Sequence, residues 1–174
     1  MKRLALVLFL GAALAFSPAV AQADTIAMGD SVVISDVTVG VYSDNGGGGG
    51  TFWVRNVTQV SANFMTFCME LSEVIQLGPQ FLVSGINEYA EKGGVDPDIP
   101  ADNKDYLSNE TKALYDYFRA SSPAFTGAEL QYAFWFFENE IATPQVGNAA
   151  YDWAVANVAT YKLAGDVQAL NLKF

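Results

Sequence analysis

Apolar and polar residues alternate in the first half of the chain with the period of β-strands. Val37, Val39 and Val41 alternate with polar or small residues, which is typical of a strand with one buried face. The glycine run at 46–50 predicts a flexible hairpin connection, and the Gly-, Asp- and Pro-rich segment 92–105 predicts a long loop. Further strands are predicted near 52–60, 64–71 and 80–86. This half therefore indicates an antiparallel sheet.

From Leu107 onwards, apolar residues recur at helical spacing. Ser108 is expected to be the N-cap of a first helix, because Leu114 and Phe118 follow it four residues apart.

A second helix is predicted from the segment Thr126–Glu129, which has the pattern of a capping box, to about Ile141. A third helix is predicted over 149–158, and the alternation in 167–174 indicates a closing strand. The expected fold is α+β: an antiparallel sheet or sandwich with a helical subdomain of about three helices packed against it, forming one domain over 24–174.

The first 23 residues predict a signal peptide. Lys2 and Arg3 precede an apolar stretch over 4–16, and small residues allow cleavage after Ala21 or Ala23. The apolar stretch is short for a membrane span. We therefore expect an exported protein in the periplasm, at the cell surface or outside the cell, with no membrane span in the mature chain.

Composition narrows the classes of function. The chain has no histidine and one cysteine, which excludes Ser-His-Asp catalysis, histidine zinc sites and CxxC redox chemistry. Its formal net charge of −10 disfavours binding to nucleic acid and anionic lipid. We expect neither an enzyme nor a metal or cofactor site.

The single cysteine, Cys68, is the main chemical candidate. It lies in Phe-Cys-Met-Glu, whereas an exported protein normally pairs its cysteines. Gln131 lies early in the second predicted helix, which is apolar nearly all round and hence expected to be buried. A thiol and a carboxamide can condense to an internal thioester with loss of ammonia. The N-terminus of the helix would favour the developing negative charge.

Three short motifs carry a resemblance to a known family. They are Phe67-Cys68-x-Glu70-x-x-Glu73, Leu107-Ser108-x-x-Thr111-x-x-Leu114-Tyr115 and Leu130-Gln131-x-Ala133-x-Trp135-x-x-Glu138. Together they resemble the bacterial thioester domain of surface adhesins, and their spacing is similar to secreted Gram-negative proteins of the PEP-CTERM type. The likeness covers roughly residues 52–141.

The resemblance implies a Cys68–Gln131 thioester that attaches covalently to a protein amine or a polysaccharide at the cell surface, and it implies a Gram-negative bacterium as the source. Glu70, Trp135 and Glu138 belong to the same motifs, so a supporting role is implied for them. Leu130 departs from the pattern, since Gram-positive members often have threonine before the glutamine. The alternative is a non-covalent structural protein of the cell surface or exopolysaccharide matrix, with Cys68 and Gln131 used only in packing.

Carboxylates offer two further hypotheses. Glu138 with Glu140, or Glu70 with Glu73, has the residue types of a glycosidase acid and base, although carboxylates this close in sequence are usually solvated or structural. The other hypothesis is a calcium site, although its residues lack the spacing of a known loop. Its residues would be Asp96, Asp98, Asp102 and Asp105.

Strand alternation also gives a geometric expectation. Met65, Phe67 and Met69 should face the core of the sheet, and Cys68 should face the helix that carries Gln131. The sulfur should then lie about 3–4 Å from the Gln131 carbonyl.

Overall fold

The computed structural model describes residues 26–38, 42, 50–59, 63–71, 75–91 and 104–173. Within these ranges lie a five-stranded antiparallel sheet, a two-stranded sheet and three helices, so the predicted α+β fold is confirmed. The predicted signal peptide, nearly all of the glycine run and most of the predicted loop at 92–105 lie outside the described residues.

The larger sheet has the strand order β3-β2-β1-β4-β7, and every neighbouring pair is antiparallel. Its strands are β1 (Ser31–Asp36), β2 (Thr51–Asn56), β3 (Asn63–Phe67), β4 (Gln80–Asn87) and β7 (Ala169–Lys173). The smaller sheet pairs β5 (Tyr89–Ala90) with β6 (Asp105–Tyr106). β7 follows all three helices and pairs with β4, so the chain returns to the sheet after the helical region.

The first strand begins earlier than predicted. Val32 and Ile34 are buried on one face of β1, which ends at Asp36. Val37 is also buried, and its N–H donates to the carbonyl of Thr51 at 3.1 Å. Val39 and Val41 lie outside the described residues. The described part of the predicted alternation, residues 37–38, therefore lies after β1 rather than within it.

The three helices are α1 (Asn109–Ser121), α2 (Gly127–Phe137) and α3 (Ala149–Asn157). Side-chain caps begin each of them, and the two predicted caps are confirmed. Ser108 Oγ accepts a hydrogen bond from the N–H of Thr111 at 3.1 Å, and Thr126 and Glu129 form the capping box. None of the helices in the described part of the chain is long and apolar enough to cross a membrane.

Helix α2 ends four residues before the predicted Ile141. Asn139 adopts a positive φ of 58°, a conformation that asparagine tolerates better than most residues. The N–H groups of Glu140 and Ile141 both turn back to the carbonyl of Trp135, at 2.8 and 3.3 Å. Ile141 lies four residues after Phe137, so its helical spacing extends the predicted helix beyond its true end.

The start of α2 lies directly against the sheet. A Cβ atom at Gly127 would overlap the carbonyl of Tyr42 and would lie 2.6 Å from Oγ1 of Thr51. Glycine at the first position of the helix therefore permits a close approach that any side chain would prevent. This approach places the first turns of α2 beside β2.

Buried apolar residues form two clusters on opposite sides of the sheet. The helical cluster comprises Leu114, Phe118, Leu130, Ala133, Phe134, Ala150 and Ala154. The sheet cluster comprises Val32, Ile34, Phe52, Val54, Phe81 and Val83.

Alternation along β3 divides its side chains between the two clusters. Met65 and Phe67 pack against the helical cluster, whereas Phe64 and Cys68 pack against the sheet cluster. The Phe67 ring lies 4.8 Å from that of Phe134 in α2. The prediction that the side chain of Cys68 faces the helix is therefore wrong. The alternation divides the side chains between two faces as predicted, but it does not indicate which face of a two-sided sheet the helices cover.

Candidate functional site

Gln131 contacts the main chain of Cys68 through both ends of its carboxamide. The N–H of Cys68 donates to Oε1 of Gln131 at 2.9 Å, and Nε2 of Gln131 donates to the carbonyl of Cys68 at 2.6 Å. Gln131 is 1% exposed, so these two bonds satisfy an amide that would otherwise be costly to bury. The structure thus brings together the two residues that the sequence proposed as a pair.

The sulfur of Cys68 has a different partner. It lies 3.1 Å from the carbonyl oxygen of Glu70, to which the thiol donates a weak hydrogen bond, and its side chain is half-buried. The contact between the two candidate residues therefore runs through the peptide groups of Cys68. A near-contact of the sulfur with the Gln131 carbonyl stays a prediction.

Three side chains from the helical region bind the main chain of residues 65–71, which we call the clamped segment. Tyr115 in α1 donates to the carbonyl of Met65 at 2.8 Å, and Gln131 holds Cys68 as described. Oε2 of Glu140 accepts from the N–H of Leu71 at 2.8 Å. Because β3 ends at Phe67, these contacts fix the course of the chain after the strand.

Glu138 joins the C-terminal end of α2 to the N-terminal end of α1. It is 2% exposed, and its Oε1 accepts from the hydroxyl of Ser108 at 2.8 Å and from the N–H of Ser108 at 3.2 Å. Burial raises the pKa of the Glu138 carboxyl, and the hydrogen bonds from Ser108 oppose that rise. The position is electrostatically favourable for a carboxylate, since the N-terminus of a helix carries partial positive charge. Glu138 thus connects two helices, and its implied supporting role for the thioester stays a prediction.

Trp135 supports the same region from within α2. Its carbonyl receives the two N–H groups that end the helix, and its buried ring meets Tyr132 edge-on at 5.7 Å. Its contacts are structural.

A group of buried carboxylates lies next to the clamped segment. Oxygen atoms of Glu70, Asp105 and Glu140 all lie within 4.8 Å of one another, and each residue is at most 5% exposed. Oxygen-rich groups suit hard cations such as Ca²⁺, but a carboxylate cluster alone does not define a cation site. Of the four aspartates proposed for a calcium site, Asp105 lies within the described residues and belongs to this group, and the other three lie outside them.

Two hydrogen bonds to the clamped segment are not predicted by the sequence. The bond from Tyr115 to Met65 has a weak signal, because Tyr115 ends one of the three motifs. The sequence indicates Glu140 only as half of a glycosidase pair. In the structure it holds Leu71, while Glu138 holds Ser108. Glu73, the other candidate partner of Glu70, lies outside the described residues.

Comparisons with protein-family models, with curated proteins and with solved structures found no match for this chain.

Proposed function

We propose that this protein is an exported surface module that forms an internal thioester between Cys68 and Gln131 and uses it to attach covalently to amine-bearing partners. One observation carries the proposal. A cysteine and a glutamine separated by 63 positions are joined by two hydrogen bonds, with the glutamine almost fully buried. The predicted signal peptide and the resemblance to thioester domains also support it.

Bond formation requires the sulfur to reach the carboxamide carbon of Gln131. That carbon lies between Oε1 and Nε2, both of which are held by Cys68, so the electrophile is kept beside the residue that carries the nucleophile. The thiol loses its proton and exchanges its contact with the Glu70 carbonyl for attack on the carbon. The C–N bond then breaks, Nε2 takes up the proton that the thiol released and leaves as ammonia, and the C–S bond remains.

The main chain of Cys68 provides a stabilising group for this step. Its N–H already lies 2.9 Å from Oε1, the oxygen on which negative charge develops during attack. A hydrogen-bond donor placed in advance on such an oxygen is the arrangement that stabilises oxyanions in acyl transfer. Gln131 also lies in the second turn of α2, near the positive end of the helix dipole.

Attachment reverses the chemistry with a new nucleophile. A primary amine attacks the thioester carbonyl, the C–S bond breaks, and the Cys68 thiolate takes up a proton. The product is a secondary amide between Gln131 and the partner. The buried aromatic residues around α2 would protect the thioester from hydrolysis until an amine arrives.

Intact-mass measurement of the processed protein tests this proposal. The expected result is a mass one ammonia lower than that of the sequence, with the deficit absent in both Cys68→Ala and Gln131→Ala. Incubation with methylamine should then add one methylamine at Gln131, located by peptide mass spectrometry. A wild-type mass equal to that of the sequence, together with a thiol that titrates fully after denaturation, would refute the proposal.

A second candidate function is a non-covalent structural protein of the cell surface or exopolysaccharide matrix. The observation that favours it is that both polar ends of Gln131 already bind the main chain, and the Cys68 thiol binds Glu70. Under this hypothesis Gln131 is an anchor between helix and sheet, and Cys68 contributes packing. Cys68→Ser would then leave retention at the cell surface unchanged, whereas the thioester proposal requires that retention be lost.

A further inference from the structure

The first residue of α2 is a glycine that lies where the helix meets the sheet. Gly127 is buried, and a Cβ atom on it would overlap the carbonyl oxygen of Tyr42 and lie 2.6 Å from Oγ1 of Thr51. Glycine weakens a helix relative to alanine, so alanine would be the better residue here if the helix alone were considered. The glycine therefore serves the contact between helix and sheet.

Both residues on the far side of this contact are held in place, so an added side chain would displace the helix. Thr51 is 0% exposed, and its carbonyl accepts a hydrogen bond from the N–H of Val37 at 3.1 Å. Tyr42 donates through its hydroxyl to the carbonyl of Pro123 at 2.7 Å, and its ring meets Phe118 edge-on at 5.1 Å. The first turn of α2 would have to move by about 1 Å before the added Cβ reached the 3.4 Å of an ordinary contact.

The same face of α2 carries Gln131. Gln131 follows Gly127 by four residues, so the two residues lie one turn apart on one side of the helix. Their contacts in the sheet are also adjacent, since Thr51 pairs across the strands with Phe67, and Cys68 follows Phe67. The helix therefore approaches β2 at Gly127 and the end of β3 at Gln131, and the first approach sets the distance of the second.

A shift of about 1 Å at this face would separate the groups that have to react. The two hydrogen bonds between Gln131 and the main chain of Cys68 are 2.9 and 2.6 Å long, and neither would survive that lengthening. A misplacement of about 1 Å can cost about 100-fold in the rate of a reaction between two positioned groups. The position of α2 against the sheet should therefore control how fast the bond forms.

From these contacts we propose that Gly127 is a positioning residue for the thioester. By allowing α2 to touch β2, it holds the Gln131 carboxamide at the distance from which the Cys68 thiol can attack. The inference rests on the proposed function, since it concerns the rate at which that same bond forms. Gly127 acts only through position, because it has no side chain that could serve as an acid, base or nucleophile.

Cell-free synthesis followed by intact-mass measurement over time gives the rate of ammonia loss. We expect Gly127→Ala to lose ammonia about 100-fold more slowly than the wild type. Thr51→Val should slow the reaction to a smaller extent, because a methyl group replaces the smaller hydroxyl against the same end of the helix. Among the described residues Oγ1 of Thr51 has no hydrogen-bond partner, so this variant loses no hydrogen bond. If circular dichroism shows that Gly127→Ala does not fold, Thr51→Val takes its place in the test.

Ala128→Gly is the matched control. Ala128 is the next residue of α2 and is exposed, so its substitution weakens the helix without crowding the sheet. It should lose ammonia at the wild-type rate, and an equally slow Ala128→Gly would overturn the inference by assigning the effect to helix stability. A wild type that loses no ammonia would overturn the proposed function and this inference together. A wild-type rate in Gly127→Ala, or in Thr51→Val where it is the substitute, would overturn the inference alone.

Hydrogen exchange of single amides, measured by NMR, separates positioning from a general loss of stability. In the Cys68→Ala background no thioester can form, and the N–H of residue 68 still has Oε1 of Gln131 as its acceptor. We expect Gly127→Ala to speed the exchange of this N–H by about tenfold or more. The N–H of Val83, which donates to the carbonyl of Asp30 at 2.9 Å, should exchange as before. Equal acceleration of both amides would mean that the substitution only destabilises the fold, and it would contradict the positioning role.

Discussion

The two buried clusters of this protein are held in different ways. The sheet cluster consists of apolar side chains on the pleated face of the strands, and four of its six members are no more than 2% exposed. The helical cluster is bordered by the buried polar residues Gln131, Glu138 and Glu140, each of which is bonded to the main chain of another segment. The stability of the sheet cluster depends on the apolar area that it buries and on how well its volume is filled. The stability at the border of the helical cluster depends on individual hydrogen bonds.

This difference determines how the stability of each region should respond to amino-acid substitutions. Apolar contacts are non-directional, so a cluster made only of them tolerates replacements that conserve volume. A buried hydrogen bond is directional, and removing one partner leaves the other group desolvated at a cost of about 1–3 kcal/mol. The junction between helix and sheet is therefore the region where polar residues fix the relative position of the elements.

The largest effect is expected from Phe134→Ala, which acts on the apolar part of the helical cluster. Phe134 is 3% exposed and contacts the Phe67 ring of β3, so truncation leaves a cavity between helix and sheet. We expect a loss of about 3–5 kcal/mol in the free energy of unfolding, measured by urea denaturation. Tyr132→Ala, two positions away and 39% exposed, is the comparison variant; it removes only the edge-on contact with Trp135 and should cost about 0.5–1.5 kcal/mol. Similar losses in both variants would contradict the assignment of Phe134 to the core.

Gln131→Ala should have the next largest effect, and it tests the polar half of the comparison. The substitution leaves the N–H and the carbonyl of Cys68 without their partners in a partly buried site. We expect a loss of about 2–4 kcal/mol in the free energy of unfolding, measured in the Cys68→Ala background so that no thioester contributes.

Gln168→Ala in the same background is the matched control for that experiment. Gln168 is an exposed glutamine just before β7, so its loss should cost no more than about 0.5 kcal/mol. If Gln131→Ala were equally mild, the two hydrogen bonds to Cys68 would not hold the junction together.

The smallest expected effect is a pH dependence with opposite signs at the two ends of α2. The pKa of Glu138 is raised by burial, so the unfolded chain releases this proton first as pH rises. The contribution of Glu138 to stability is therefore present below its ordinary pKa of about 4.5 and falls as pH rises through the folded value. Glu138→Gln keeps an acceptor for Ser108 and should remove this loss of stability. The free energy of unfolding of the variant should therefore increase relative to that of the wild type as pH rises.

Glu129 should behave in the opposite way. Burial acts to raise the pKa of Glu129, but hydrogen bonds from Thr126 and Ala149 outweigh it and leave the pKa lowered. Its contribution is present above the ordinary pKa and is lost as pH falls through the folded value. Urea denaturation of Glu138→Gln, Glu129→Gln and the wild type from about pH 3 to 7 checks both signs. Stability differences that do not change with pH would contradict both assignments.

Much of the fold follows from local patterns. Ser108 and the Thr126–Glu129 box begin helices as predicted, because a cap depends on residues only three apart. β4 starts at the predicted Gln80 for a similar reason, since the alternation of a half-buried strand is visible within a few residues. The end of α2 was not predicted, because Ile141 still lies at helical spacing from Phe137 while the chain already turns at Asn139, which has a positive φ.

The sequence by itself determined that Cys68 and Gln131 are the chemical candidates. The composition contains a single thiol, and the apolar pattern places the Gln131 carboxamide in a buried helix. Only the tertiary structure decided that the side chain of Cys68 packs on the sheet cluster while its peptide groups bind Gln131. It also decided that Glu138 and Glu140 bind different segments, since Glu138 binds Ser108 and Glu140 binds Leu71. The physical reason is that periodicity divides residues between two faces of an element, whereas the partner of each face depends on how distant elements pack.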